Sequence, residues 1–190
     1  ARDQFQRNSL IRGIKNCDPD DLIMISDLDE IPNPLKISEF KKSNKYACFV
    51  QSNFLLKFNL LNISEPNWYG TRMCRKKDLK SPQWLREIKT GKIPFYKFYK
   101  PRFDKFISNG GWHFSSVKDA KGIYKKLNSY AEQQWNNDNF KNLDIIEKKI
   151  EEKKDLFDRN YDFKAIKIDN SFPKYLSDNK DKFKTLIYEV

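Results

Sequence analysis

Histidine and cysteine are scarce in this chain of 190 residues. There is a single histidine, His113, and the three cysteines, Cys17, Cys48 and Cys74, include no Cys-x-x-Cys pair. An odd number of widely spaced cysteines argues against both a disulfide framework and a cysteine-based zinc site. No cysteine–histidine pair presents itself for nucleophilic catalysis.

Several signature motifs are also missing. The chain has no Walker-A loop and no G-x-G-x-x-G, G-x-S-x-G or H-E-x-x-H sequence, which removes the common phosphate-loop, hydrolase and zinc-protease signatures. It has no apolar run of about 18 residues, so no segment of this sequence is predicted to span a membrane.

The amino-acid composition is typical of a folded, basic protein. Hydrophobic residues make up 38% and aromatic residues 15%, and 37 basic against 26 acidic side chains give a net charge of +11. This predicts one domain, residues 1–190, and polyanionic partners such as nucleic acid, acidic lipid or a nucleotide diphosphate. The aromatic and basic run at 95–103 lacks any nucleic-acid-binding signature, so no nucleic-acid partner is predicted.

The start of the chain resembles the inside of a longer protein. It has no initiating methionine and enters an amphipathic helix at about 3–15, with Phe5, Leu10 and Ile11 on one face. We expect an upstream piece, which could carry a signal or anchor segment.

The rest of the chain alternates between strand and helix patterns. The predicted elements are a strand at 22–26, a short helix at 34–43, strands at 46–51, 53–60 and 70–75, a helix from Ser81 to Gly91, helices at 118–135 and 140–155, a strand at 164–168 and a last helix at 178–187. Asn62-Ile63-Ser64 fits the N-glycosylation sequon, a weak pattern.

The most informative stretch joins a strand to a group of acids. Four apolar residues, 22–25, are followed closely by Asp27, Asp29 and Glu30. This predicts a core strand of a parallel sheet, whose carboxyl end faces a ligand crevice. Two carboxylates two residues apart suit Mg²⁺ or Mn²⁺ carrying phosphate oxygens. The alternative is an acidic turn before a helix capped by Asn33.

Two further segments have both a functional and a structural interpretation. His113 follows Gly110 and Gly111, which leave room for a close ligand, and its imidazole would either complete a metal site, bind a phosphate or serve a structural role. Arg7 would either contact a nucleotide phosphate or remain a surface charge.

Taken together, these segments resemble glycosyltransferase family 17, the bisecting β-1,4-N-acetylglucosaminyltransferases and their microbial and viral relatives. The resemblance covers nearly the whole chain. The matching blocks are Phe5-Gln6-Arg7-Asn8 with 10–13, then Asp21-Leu22-Ile23 through Pro32, and Gly110-Gly111-Trp112-His113-Phe114-Ser115, with weaker matches at 81–86, 155–157 and 173–176.

The resemblance implies a GT-A-like α/β fold, a Rossmann-like mixed sheet flanked by helices, and an inverting, metal-dependent transferase. It would move a sugar, N-acetylglucosamine by analogy, from a UDP donor to a glycan hydroxyl. The implied metal ligands are Asp27, Asp29 and His113, the donor site adds Arg7 and Trp112, and the catalytic acids are Asp29 and Glu30. Glu30 is the candidate base; alternatively it orients the donor sugar or caps a helix.

The chain departs from the family in two ways. The family's Ser-x-x-His-x-Glu-like segment aligns with Ser129 to Trp135, where neither the histidine nor the acid is in place. If that histidine contacts the metal or the donor in the family, either Glu132 substitutes for it here or metal use is weakened. In addition, the N-terminal part of the fold, with much of the uridine pocket, is expected to be missing. A non-catalytic carbohydrate- or polyanion-binding domain is therefore the alternative function, and a cytoplasmic microbial or viral location is favoured over the Golgi lumen.

Overall fold

The computed structural model describes residues 2–92, 94, 96, 99–128 and 142–190. By its internal contacts the chain divides into two compact units, the first made of residues 1–51 and 69–111 and the second of residues 52–68 and 112–190. The prediction of a single domain stays a prediction. The segment 129–135, where the family histidine was expected, lies outside the described residues.

Helices and strands alternate as an α/β class requires, and this part of the expectation is confirmed. The helices are α1 (Arg2–Ser9), α2 (Pro82–Glu87), α3 (Ala120–Asn128), α4 (Leu143–Glu151) and α5 (Lys174–Asp178). The strands are β1 (Leu22–Ile25), β2 (Glu30–Pro32), β3 (Tyr46–Leu55), β4 (Leu60–Asn62), β5 (Asn67–Arg75), β6 (Lys105–Ile107), β7 (Gly111–Ser115) and β8 (Phe163–Ala165). Short 3₁₀ segments occupy Leu10–Ile14, Pro34–Glu39, Lys76–Asp78 and Lys180–Leu186.

Each unit has mixed strand pairing. In the first unit β1 pairs antiparallel with β5, and β3 pairs parallel with β6. In the second unit β3 pairs parallel with β7 and antiparallel with β4, which pairs antiparallel with β8. Strands β3, β5 and β7 each contribute residues to both units.

The prediction that β1 is a core strand of a parallel sheet is wrong. Its one described strand partner, β5, is antiparallel, with Ile23 opposite Cys74. Only Ile23 and Ile25 are buried, whereas Leu22 and Met24 face solvent. A strand with one buried face belongs to an antiparallel edge, where a short apolar run need not be buried on both sides.

Each unit has its own apolar clusters. The first unit contains one around Ile23, Tyr46 and Leu85 and another around Phe49 and Ile107. The second unit contains one under α3 and α4, centred on Ile123 and Ile146, and an aromatic one. The aromatic cluster consists of Phe54, Phe114, Ile168, Phe172 and Leu176.

Several predicted boundaries shift for local reasons. The helix predicted to end at Gly91 ends at Glu87, because Ile88 turns into the core with an extended ψ of 121°. The two strands predicted at 46–51 and 53–60 are one strand, β3, since its polar residues Gln51 and Asn53 are themselves buried and do not interrupt it. The predicted cap at Asn33 is confirmed: its side chain accepts a hydrogen bond from the Leu35 backbone N–H.

The glycine pair before His113 makes room for backbone. Gly111 has a φ of +136°, and a Cβ there would lie 2.1 Å from the Ile31 carbonyl oxygen. A side chain is therefore excluded on both steric and conformational grounds. The space that was predicted for a ligand at this position is taken by β2.

Candidate functional site

The three acids of the motif lie in and beside a tight turn between β1 and β2. The Glu30 backbone N–H donates to the Asp27 carbonyl oxygen at 3.1 Å, and the Asp27 N–H donates to Glu30 Oε2 at 3.1 Å. Leu28, at the tip, is fully exposed, and Asp29 beside it is partly exposed. The turn therefore leaves Asp29 partly exposed and buries Glu30.

An arginine from α2 holds the two inner acids. Arg86 Nη1 donates to Glu30 Oε2 at 2.8 Å, and its Nη2 donates to Glu30 Oε1 at 2.8 Å and to Asp27 Oδ2 at 2.7 Å. The Glu30 side chain is 0% exposed and that of Arg86 is 11% exposed. Planar guanidinium groups suit this two-point contact, and the pair fixes the carboxylates relative to the helix.

The α2 helix starts where it does because of its sequence. The Ser81 hydroxyl accepts a hydrogen bond from the Trp84 N–H, and Pro82 occupies the first helical position. This is the usual arrangement at a helix start. Since Leu85 is fully buried in the first-unit core, its neighbour Arg86 is placed against the turn.

Arg7 from α1 binds the second carboxylate oxygen of Asp27. Its Nη2 donates to Asp27 Oδ1 at 3.0 Å, and its Nη1 donates to Gln83 Oε1 at 2.7 Å. Both carboxylate oxygens of Asp27 therefore accept hydrogen bonds from arginines, although its side chain is still 40% exposed.

Burial and charge act in opposite directions on Arg86. Burial disfavours its charge, but the hydrogen bonds to Glu30 and the charges of Glu30 and Asp27 outweigh it and raise the pKa of Arg86 above its usual value. The guanidinium is thus a fixed positive charge behind the turn.

A third arginine, Arg72, which sequence reasoning missed, shares a hydrogen-bond acceptor with Arg86. Arg72 Nη1 donates to the carbonyl oxygens of Tyr69 at 2.5 Å and Gly70 at 2.6 Å, and Arg86 donates to the same Gly70 oxygen at 2.8 Å. Arg72 is buried, and burial lowers its pKa. It is one residue from Thr71, whose hydroxyl hydrogen bonds Ser26 at 2.7 Å.

The polar side chains around Arg72 are incompletely hydrogen-bonded. Among the described residues, three buried side-chain atoms have no hydrogen-bond partner, and two of them are Arg72 Nε and Gln51 Oε1. Gln51 Nε2 donates to Thr71 Oγ1 at 3.3 Å, so both atoms belong to one polar region. Nothing in the sequence around these residues marked them out.

The remaining predicted site residues belong to the second unit. His113 is buried, and its Nδ1 lies 2.9 Å from Asn53 Oδ1. The Trp112 indole N–H donates to the Ser171 carbonyl oxygen at 3.1 Å. Arg7 and Arg86 thus contact the turn that contains Asp27, Asp29 and Glu30. The contacts of Trp112 with Ser171 and of His113 with Asn53 lie within the second unit.

The turn fits a cation that takes most of its ligands from a substrate. In the described part of the chain, no group of three or more histidine, cysteine or acidic side chains could hold a metal ion. A Mg²⁺-type cation in a phosphate site often uses one or two carboxylates together with phosphate oxygens and waters. Asp29, which is partly exposed in the turn, and Asp27, whose side chain is 40% exposed, are the carboxylates that could serve in this way.

Comparisons with known proteins add no further identification. No family model, curated protein or solved structure matches this chain. Among the described helices, none combines the length and apolar character needed to cross a membrane.

Proposed function

We propose that this protein is an inverting, metal-dependent glycosyltransferase that uses a UDP-sugar donor, UDP-N-acetylglucosamine by the resemblance, and a glycan hydroxyl as acceptor. The observation that carries the proposal is the turn at Asp27–Glu30. It keeps Asp29 partly exposed, while Arg7 and Arg86 bind Asp27 and Arg86 binds the buried Glu30. A turn whose acids are held in place suits a cation–diphosphate complex, because such a cation takes one or two carboxylates from the protein and its other ligands from phosphate and water.

The three acids have different roles in this proposal. Asp29 would hold the cation together with the phosphate oxygens of the donor. Asp27 sets the turn, because both of its oxygens are held by arginines. Glu30 is a positioning residue and not the base, since its side chain is fully buried and both oxygens accept hydrogen bonds from Arg86.

The reaction is a single displacement at the anomeric carbon of the donor. The acceptor hydroxyl oxygen forms the new glycosidic bond as the bond from that carbon to the diphosphate oxygen breaks, and the hydroxyl proton passes to a base. A bound divalent cation supplies charge neutralisation for the departing diphosphate. Arg7, whose side chain is 25% exposed, adds positive charge at the same turn.

Calorimetric titration of UDP into the full chain, with Mn²⁺ or with EDTA, tests the site. We expect binding that requires Mn²⁺ and is lost in Asp29→Ala. Asp144→Asn is the matched control, because Asp144 is an exposed acid on α4 in the second unit. Binding that is equal with EDTA, or equal in Asp29→Ala, would contradict the proposed cation site.

The transferase activity needs a separate measurement. We expect UDP release from UDP-N-acetylglucosamine that depends on Mn²⁺ and on Asp29, and a faster release when a glycan acceptor is added. Glycan binding without any donor turnover would instead support the alternative of a non-catalytic carbohydrate-binding domain.

A further inference from the structure

Side chains continue the pairing of β1 with β5 at the point where the backbone pairing ends. The last paired residues before the acid turn are Ile25 and Arg72. The next residues beyond this pair are Ser26 and Thr71, and their hydroxyl oxygens are 2.7 Å apart. Opposed hydroxyl side chains stabilise an antiparallel strand pair. This contact therefore joins β5 to the residue that immediately precedes Asp27.

Thr71 is also held by the neighbouring strand β3. Thr71 is fully buried, and its Oγ1 accepts a hydrogen bond from Gln51 Nε2 at 3.3 Å. Gln51, on β3, is 1% exposed. A hydroxyl group can accept two hydrogen bonds and donate one, so Thr71 can bind Gln51 and Ser26 at the same time. Since Ser26 is exposed, these contacts connect the buried sheet to the surface beside the turn.

A second connection joins β5 to the same turn. The Gly70 carbonyl oxygen accepts a hydrogen bond from Arg86 Nη1 at 2.8 Å, and Arg86 Nη2 donates to Asp27 Oδ2 at 2.7 Å. This connection ends on the carboxylate of Asp27, whereas the contact between Thr71 and Ser26 lies at the start of the turn. The turn is therefore attached to β5 by one charged contact and one neutral contact.

We propose that Thr71 is a positioning residue for the donor site, which acts through Ser26 to fix where the turn places Asp27 and Asp29. The inference rests on the proposed function and extends it to a residue that is fully buried and does not touch the donor. A Mg²⁺-type cation demands near-ideal octahedral geometry from its ligands. A site whose supporting residues leave it about 1 Å too loose loses function. The hydroxyl of Thr71 therefore contributes to donor affinity and not only to stability.

Two substitutions at Thr71 separate its hydroxyl from its shape. Thr71→Val keeps the branched shape and removes the hydroxyl, whereas Thr71→Ser keeps the hydroxyl and removes a methyl group. Calorimetric titration of UDP into the full chain with Mn²⁺ measures the affinity. We expect Thr71→Val to weaken Mn²⁺-dependent UDP binding about tenfold, the size of one lost hydrogen bond. Thr71→Ser should bind UDP within about twofold of the unchanged protein, although its smaller side chain lowers the stability.

A double-variant cycle tests whether Thr71 acts through Ser26. Ser26→Ala should weaken UDP binding about as much as Thr71→Val, and the double variant should lose no more than either one, because both substitutions remove the same contact. Ser64→Ala is the matched control, since the Ser64 hydroxyl accepts the Asp162 backbone N–H at 2.9 Å within the second unit. This control should bind UDP as the unchanged protein does.

Equal Mn²⁺-dependent UDP affinity in Thr71→Val, Ser26→Ala and the unchanged protein would overturn the positioning role and leave the proposed function intact. The role would also be overturned by a larger loss of affinity in Thr71→Ser than in Thr71→Val, or by losses that add in the double variant. If the unchanged protein itself binds no UDP with Mn²⁺, the proposed function fails and the role of Thr71 fails with it. Urea unfolding shows whether a variant is folded. If Thr71→Val is not, Ser26→Ala decides the outcome, because Ser26 is exposed.

Discussion

Two arginines in this protein hold buried carboxylates, and they do so in different ways. In the first unit Arg86 is 56 residues from Glu30 and connects α2 to the turn after β1. In the second unit Arg159 is four residues from Asp155 and contacts both its oxygens, at 2.6 and 3.0 Å. The first pair joins distant parts of the chain, whereas the second closes a single local turn.

Asp155 and Glu30 also differ in the hydrogen bonds that they accept from backbone N–H groups. Asp155 accepts two backbone N–H groups through Oδ2, from Phe157 at 3.1 Å and Arg159 at 2.9 Å. Glu30 accepts the Asp27 N–H at 3.1 Å, and Arg86 contacts both of its oxygens. A carboxylate with several backbone donors keeps its charge stabilised without the arginine, and one that depends on a guanidinium does not. The first pair therefore has more to lose from a single substitution.

The largest effect is expected from Arg86→Ala. Removing the guanidinium leaves the Glu30 charge buried without its arginine, which costs about 3–5 kcal/mol in the free energy of unfolding. Urea unfolding followed by circular dichroism measures this loss. In the double variant Arg86→Ala/Glu30→Gln the buried charge is absent, so part of the stability should return. A loss below about 1 kcal/mol for the single variant would mean that Glu30 does not depend on Arg86.

Arg159→Ala is the same substitution in the second unit and should cost less, about 1 kcal/mol. The Arg159 side chain is 36% exposed, and Asp155 keeps its two backbone donors. The same urea experiment checks this value. An effect as large as that of Arg86→Ala would remove the distinction between the two pairs.

The third prediction concerns pH. Burial opposes the charge of Asp155, but the hydrogen bonds from Arg159 and Phe157 outweigh it and lower the pKa of Asp155 below its usual value. Its contribution to stability is therefore present above the unfolded pKa of about 3.9 and is lost as the pH falls through the folded pKa. Between about pH 5 and pH 2, Asp155→Asn should lose less stability than the unchanged protein. Thermal unfolding at several pH values measures this difference. If the unfolding temperatures of Asp155→Asn and of the unchanged protein fall in parallel as the pH is lowered, the pKa of Asp155 is not lowered in the folded state.

The smallest effect is expected at the tip of the turn that Arg86 supports. Leu28 is fully exposed, so Leu28→Ala should change the free energy of unfolding by no more than about 0.5 kcal/mol. Urea unfolding again provides the measurement. A larger loss would show that the tip itself, and not only the arginines beneath it, stabilises the turn.

The part of the site that could be predicted is its local part. Asp27, Asp29 and Glu30 follow a short apolar strand, and Ser81-Pro82 marks the start of α2; both features are found in the structure. The partnership of Arg86 with Glu30 had no sequence signal, because charges far apart in a sequence pair according to the packing of the elements that carry them. The same limit applies to the glycosylation sequon, whose Asn62 proves to be fully buried and bonded to the Glu65 N–H.

The strand before the acids shows the limit most directly. The apolar run predicted a strand, and a strand forms, but its pairing could not be derived from four residues. Antiparallel pairing with β5 leaves Leu22 and Met24 exposed. It also places Ile25, the last residue of β1, opposite Arg72. An apolar run specifies that a chain extends; which neighbour it hydrogen bonds depends on the rest of the core.

The sequence by itself determined the turn of acids, the helix starts and the α/β class, because capping, turn chemistry and apolar periodicity act over a few residues. The tertiary structure decided which acid is buried and which basic side chains bind the turn. Arg86 binds the buried Glu30, and Arg86 and Arg7 together bind Asp27, which stays partly exposed. It also stacked His113 beneath Trp68. These are non-local contacts, and burial of the elements that carry them fixes the partners.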